Sequence, residues 1–437
     1  MNCLIIASGR GTRLASKSGS KPLALLMGMP LIARVILRAR KAGLKDFYVM
    51  TGYHGKMLRD YLETFSERRN IKITCLHNDE WTKENGISVL KAKDIVNGNF
   101  ILLMSDHIFD EKIIAKLKNK KMHDNKVTLA IDSNVKRNYF VDEKDVTKVF
   151  IKNKRILYIS KNLKEYNAYD TGIFLCTPAI FNAIEQSSKN GDTSLTGAIK
   201  TLAKKGEVKA YDISGNYWID VDNEIKLKQA ERYLINILIN KKSDGFISRY
   251  INRPISGQIT KFLLKTKIHP NIITLTCFFL SIIAVLFFFQ KGYVNLLLGA
   301  TLAQLASIID GCDGEIARLK FLETEFGGWF DAVLDRYADA FLLFGLTYHA
   351  YQVIGNPVIV IIGFLAIIGS LINSYTADKY DTLMKSRGSR YFRIGRDLRI
   401  FIIFLGGLLN QPALALIAIA ALMNIENARR IVVLARA

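Results

Sequence analysis

Two kinds of hydrophobic pattern divide this chain. Up to about residue 240, short β-branched and aromatic runs alternate with polar stretches of helical period. Leu4–Ala7, Phe47–Met50, Ile71–Cys75 and Phe100–Met104 read as buried strands, with Leu31–Ala42 as a helix between the first two. Such alternation predicts an α/β domain with a mainly parallel sheet. From about Asn271 the pattern changes to long apolar stretches, at roughly 271–290, 293–309, 329–353, 357–376, 398–409 and 412–425. A bilayer-spanning helix needs about 20 apolar residues, so these predict six crossings, the fifth drawing on its flanks. The expected organisation is a soluble domain at 1–238, a linker at 239–268 and an all-α six-span membrane domain at 269–437.

Polar positions refine this picture. In the linker, Phe246, Tyr250 and Ile251 recur at helical spacing beside Arg249 and Arg253. That pattern suits a helix lying on a membrane surface, or an amphipathic linker packed on the soluble domain. Between the fourth and fifth apolar stretches stand Lys379, Lys385, Arg387, Arg390, Arg393, Arg396 and Arg399. Arg318 and Lys320 follow the second, and Arg429 and Arg430 the sixth. The opposite-side connections, around Gly292, Gly355 and Asn410, carry little beyond Lys291. The positive-inside rule then predicts a multi-pass protein of the cell membrane, its soluble domain and C-terminus in the cytoplasm. These loop cations account for part of the formal net charge of +22, so nucleic acid is not expected as a partner. The five cysteines are scattered without metal-type spacing and read as reduced. The N-terminal apolar run is too short, and its basic flank is on the wrong side, for a signal peptide.

Candidate chemistry gathers in two places. The first is Asp310-Gly-Cys-Asp313-Gly314-Glu-Ile-Ala317-Arg318, followed after eight residues by Gly327-Gly-Trp-Phe-Asp331-Ala-Val-Leu-Asp335. At spacings of three and four, each pair of acids shares a helix face. Ionisable groups beside a hydrocarbon core are costly and usually functional. Four acids converging without cationic partners would repel one another unless a divalent cation, held through oxygen, sat between them. The second place follows the first strand: Ala7-Ser8-Gly9-Arg-Gly11-Thr12-Arg13, then Ser20-Lys21-Pro22. Glycines there let backbone N–H groups approach a phosphate, and Arg13 and Lys21 supply countercharge for a triphosphate. The spacing matches neither the P-loop nor the dinucleotide fingerprint.

This loop resembles that of nucleotidyltransferases that join a nucleoside triphosphate to a sugar or alcohol phosphate. Gly28-Met-Pro30-Leu31-Ile32 extends the likeness. The resemblance implies a Rossmann-like, GT-A-like fold. It implies triphosphate contacts from Ala7, Ser8, Gly9, Gly11, Thr12, Arg13 and Lys21, and base or substrate contacts from Asn85 and Ser88. Asp106 corresponds to the family's first metal-binding carboxylate, and Asp220 or Asp222 to the second. Asp170 and Gly172 fall in its acceptor pocket. A phosphate acceptor is its own nucleophile, so His77 and His107 are expected to be structural or peripheral.

The acid run resembles the CDP-alcohol phosphotransferase signature over roughly 244–435, including Pro270-Asn271 before the first span. By that likeness Asp310, Asp313, Asp331 and Asp335 bind one or two divalent metals, magnesium or alternatively manganese. Asp310, Gly314, Ala317, Arg318 and Gly327 meet the CDP-linked donor, and Asp335 is the general base. Asp339 lies outside the signature and reads as support or packing. Arg393, Arg396 and Arg399 serve either topology alone or a pocket for an acceptor phosphate.

The order of the two halves is similar to the bifunctional inositol-phosphate cytidylyltransferase/di-myo-inositol-phosphate-phosphate synthases. The resemblance implies that CTP and inositol 1-phosphate give CDP-inositol. CDP-inositol then passes its inositol phosphate group to a second inositol 1-phosphate, releasing CMP on the way to a compatible solute. A lipid or another polyol phosphate is the alternative acceptor, and a transporter with a nucleotide-binding domain the alternative class. The sequence leaves monomer and homodimer both open.

Overall fold

The computed structural model describes residues 1–11, 14, 19–120, 126–135, 141–239, 245–386 and 394–435. Its contacts divide the chain into two compact units, Met1–Tyr233 and Leu234–Ala437.

The first unit is built on β1 (Asn2–Ala7), β2 (Asp46–Thr51), β3 (Lys72–His77), β4 (Phe100–Met104), β5 (His107–Phe109), β6 (Val127–Asp132), β7 (Lys148–Lys152), β8 (Arg155–Ser160), β9 (Ala168–Cys176), β10 (Val208–Asp212) and β11 (Trp218–Asp220). Nine of these strands form one sheet in the order β3-β2-β1-β4-β9-β6-β10-β8-β7. β3, β2, β1 and β4 run parallel, and β9 is antiparallel to β4 and β6. The four early strands stand within a residue or two of where their apolar runs predict them. Leu4, Phe100, Leu102, Phe174 and Phe181 fill a common core. Helix α1 (Leu31–Lys41) buries Leu31, Ile32, Val35, Ile36 and Ala39, a helical stripe, and also Arg34, whose guanidinium donates to the Leu26 carbonyl. Parallel strands leave their ligand crevice at the carboxyl ends, here the residues just after β1 and β4. β5 and β11 form a separate two-stranded ribbon in which His107 stands opposite Asp220.

The second unit is helical. After α2 (Asn85–Leu90) and α3 (Leu195–Lys204) of the first unit come α4 (Arg253–Leu263), α5 (Pro270–Phe288), α6 (Tyr293–Lys320), α7 (Glu325–Ile354), α8 (Val358–Ser386), α9 (Arg396–Leu408) and α10 (Pro412–Ala435). Among the described residues, three segments, Pro270–Phe288, Tyr293–Lys320 and Val358–Met384, are long and apolar enough to cross a membrane. At 1.5 Å per residue, α9 covers only about 20 Å. Ala284, Phe288, Ala300, Leu346 and Leu416 meet in the bundle core. The linker turns its polar side inward. Arg253, Ser256 and Thr260 of α4 all donate to the buried carboxylate of Glu315 on α6, at 2.7, 2.7 and 2.6 Å. Phe246, Tyr250 and Phe262 are left exposed, the arrangement expected of a helix at a lipid interface.

Candidate active sites

In the first unit the chain leaves β1 through Ser8, whose hydroxyl lies 2.7 Å from that of Ser88 on α2. Asn78 donates to the same Ser88 hydroxyl at 3.0 Å, and Tyr53 N–H donates to the Ser8 carbonyl. These bonds fix the start of the glycine-rich turn. Gly11 has φ +55°, and a Cβ there would collide with the Lys21 side chain, so only glycine lets the loop close over Lys21. Lys21 in turn pairs with Asp106 and, at 2.5 Å, with Asp222. Burial works against its charge, but Asp106, Asp220 and Asp222 hold the ammonium above the ordinary lysine range. Thr12 and Arg13 lie outside the described residues.

Two cavities meet here. One, of about 210 Å³, is lined by Ala7, Ser8, Gly9, Gly11, Lys21 and Ser88. The other, of about 380 Å³, is lined by Asp106, His107, Asp170, Gly172, Asp220 and Asp222. They share Asn85, Met104 and Asp106. The two pockets therefore adjoin at one carboxylate, Asp106. Asn85 also accepts from the Leu195 N–H at the start of α3, at 3.0 Å, which locks the wall between them.

The metal-type cluster at this junction is Asp106, His107 and Asp220. The β5–β11 register brings it together, with Val221 N–H donating to the Asp106 carbonyl at 3.0 Å. Oδ1 of Asp220 is buried with no hydrogen-bond partner, as a metal ligand awaiting its ion would be. Asp222, by contrast, is taken by Lys21. Burial pushes the Asp220 carboxyl up to about 7 and the Asp170 carboxyl up to about 6. Burial opposes the charge of His107, yet Asp220 and Asp106 raise its imidazole to about 9. Of the two readings expected for His107, structural or peripheral, the peripheral one is corrected: its Nδ1 lies 2.7 Å from Asp106 and 3.8 Å from Asp220. The only cue in the sequence was an Asp-His pair directly after a buried strand.

In the second unit the acids are set by a helical hairpin. Asp310 stands ten residues before Lys320, the end of α6, and Asp335 ten residues after Glu325, the start of α7. At 1.5 Å per residue both are about 15 Å from the turn, so antiparallel helices bring them level. Thr324 caps α7 by accepting from Gly327 N–H at 2.9 Å, and Phe321 closes α6 in the left-handed region. Ligand oxygens of Asp310, Asp313 and Asp331 all lie within 4.8 Å of one another. Oδ1 of Asp331 is buried without a partner. Thr274 donates to Asp313 at 2.6 Å, and Gly314 N–H donates to the same carboxylate. A Cβ at Gly314 would stand 3.0 Å from Arg318, and one at Gly327 would stand 3.3 Å from Asn271. Small residues thus keep the surface around the acids open.

The expectation that these acids lack cationic partners is also corrected. Arg396, at the start of α9, lies 3.0 Å from Asp310, 2.8 Å from Asp335 and 2.8 Å from Asp339. Arg399 is 2 % exposed and directs its guanidinium to Asp339, the Ser370 carbonyl and Ser374 at 2.8, 2.7 and 2.9 Å. Enclosed in this way, Arg399 fits a support for Asp339 and Arg396 better than a phosphate contact. Arg393, with Arg387 and Arg390, lies outside the described residues.

Comparison with known proteins follows the same division. Residues 2–235 match the nucleotidyl transferase family, and 267–429 match the CDP-alcohol phosphatidyltransferase family. The chain is 32% identical over 431 residues to the bifunctional IPC transferase and DIPP synthase of Aquifex aeolicus, covering 97% of this chain and 95% of that protein. To the protein of the same name from Rubrobacter xylanophilus it is 33% identical, covering 99% and 96%. The solved inositol-1-phosphate CTP transferase from T. maritima is 23% identical, with a TM-score of 0.47 over 53% of this chain and 93% of that one. On its near full-length identity to relatives of one name, the chain belongs to the family of bifunctional IPC transferases and DIPP synthases.

Proposed function

We infer that the chain makes CDP-inositol from CTP and inositol 1-phosphate, then transfers the inositol phosphate group to a second inositol 1-phosphate. The observation that supports this reading is that each unit brings together a group of side chains able to hold a metal ion, Asp106/His107/Asp220 in one and Asp310/Asp313/Asp331 in the other. In the first step a phosphate oxygen of inositol 1-phosphate bonds to the α-phosphorus of CTP, and the bond to the bridging oxygen breaks to release pyrophosphate. Backbone N–H groups of Ser8–Gly11 and the Lys21 ammonium face the triphosphate, with Arg13 proposed beside them. Asp170 and Gly172 line the pocket that takes the inositol ring. Asp106 and Asp220 would hold the cation; Asp222 anchors Lys21.

In the second step a hydroxyl of the acceptor bonds to the inositol-bearing phosphorus of CDP-inositol, and CMP leaves. Asp335 takes the hydroxyl proton, and Arg396 orients its carboxylate. Asp310, Asp313 and Asp331 would hold the cation, and Arg318 pairs with donor phosphate. A bound magnesium ion at either cluster would neutralise phosphate charge that builds up as the leaving group departs. The proposed setting is a six-span membrane protein with both sites on the cytoplasmic side, supported by the loop cations.

The test incubates purified protein with CTP, inositol 1-phosphate and Mg²⁺ and follows the products by phosphorus NMR. CDP-inositol should appear first, then a phosphodiester; absence of both rejects the reading.

A further inference from the structure

We propose that His107 determines acceptor specificity in the first step: its Nε2 hydrogen-bonds a hydroxyl of the polyol phosphate while its Nδ1 steadies Asp106. The inference rests on the cytidylyltransferase reading of the first unit. The ring has a neighbour on two sides. Its Nδ1 sits 2.7 Å from Asp106. Trp218 lies nearly parallel to it, with centroids 6.4 Å apart and planes at 19°. The indole N–H of Trp218 is itself fixed by the buried Asp132 carboxylate at 3.0 Å. With Nδ1 turned to the acid cluster, Nε2 is carried to the opposite side of the ring.

Gly172 stands there. It has φ +70°, and a Cβ on it would come within 2.7 Å of His107 Nε2. Glycine at this position leaves room beside that nitrogen, and His107, Gly172 and Asp170 all line the 380 Å³ cavity. Asp170 is fixed there by the Gly172 N–H at 2.8 Å. Asp170 and His107 thus present two hydrogen-bonding groups to the same space. A ring bearing several hydroxyls can satisfy both; an alkyl or bare cyclohexyl phosphate can satisfy neither. A hydroxyl accepts from an imidazole N–H or donates to a bare nitrogen, so the contact does not depend on the protonation of His107.

The test measures pyrophosphate release by the full-length protein with CTP and Mg²⁺. Inositol 1-phosphate is the acceptor and cyclohexyl phosphate, the same ring without hydroxyls, is the competitor. His107→Asn keeps a donor near the Nδ1 position and removes the reach of Nε2. It should raise KM for inositol 1-phosphate about 3- to 10-fold, the loss of one hydrogen bond. KM for CTP, the Mg²⁺ requirement and the inhibition constant of cyclohexyl phosphate should stay unchanged. His107→Gln, whose amide extends to the Nε2 position, should recover part of the loss. Equal weakening of both acceptor compounds, or a shifted Mg²⁺ requirement, overturns the assignment and makes His107 a support or ligand of the metal cluster. Failure of the unaltered protein to release pyrophosphate with inositol 1-phosphate overturns the parent reading instead, and the assignment with it.

Discussion

The two acid clusters solve one problem with different scaffolds. In the first unit the carboxylates sit just past strand ends, gathered by a short ribbon; in the second they stand on the faces of two helices joined by a tight turn. Each cluster also holds a cation brought from afar. Lys21 reaches Asp106 across 85 positions, and Arg396 reaches Asp310 across 86. The strand-end cluster pairs its lysine with Asp106 and Asp222, whereas the helical cluster ties Asp335, the proposed base, to its arginine. The difference separates a site that only neutralises and positions from one that must also move a proton. An acceptor phosphate attacks unaided; an acceptor hydroxyl does not.

The largest effect comes from the helical cluster. Asp313→Ala should lower phosphodiester formation by about 10²-fold or more while CDP-inositol accumulates, as read by phosphorus NMR. Loss of CDP-inositol as well would erase the separation between the sites. Lys21→Ala should cut CDP-inositol formation by about 10²-fold and leave supplied CDP-inositol consumed at its normal rate. A drop in both rates would count against independent sites. Next comes the division of labour between two neighbouring acids. Asp220→Asn should raise the Mg²⁺ requirement of pyrophosphate release by about 10-fold or more, and Asp222→Asn by clearly less. The reverse order in a Mg²⁺ titration would exchange their roles. The smallest effect concerns α4. Thr260→Val removes one of three donors to Glu315 and should lower the stability of the second unit by about 1–3 kcal/mol. Thermal unfolding in detergent checks this, and the first step should proceed as before.

The same contrast explains what could be read in advance. The acid run was legible because spacings of three and four along a helix translate directly into a shared face, and a short turn translates into level faces. β1, β2 and β4 were legible because they are inner, parallel strands with mostly buried residues, which demands apolar runs; β3, read as buried from Ile71–Cys75, is instead the partly exposed edge strand. His107 escaped because its neighbour Asp220 is supplied by a register between segments more than a hundred residues apart. The choice between Asp220 and Asp222 stayed open because one ends the strand and the other lies two residues on, and the path of Lys21 and the unpartnered Asp220 Oδ1 are set only by the fold. Arg396 was read as a topology cation or an acceptor-phosphate contact, and its three carboxylate partners depend on how α9 docks against α6.

The hairpin between α6 and α7 bears on how this half of the chain can change over evolutionary time. Of the residues separating Arg318 from Gly327, Leu319 and Lys320 finish one helix, while Glu325 and Phe326 begin the next. The four between them are already spent on a left-handed closure at Phe321 and a cap at Thr324. One residue inserted into either helical flank would rotate one pair of acids by about 100° relative to the other. Most surface connections drift in length with little consequence. This one has no slack, and its spacing should vary less among descendants than the identity of the residues that fill it.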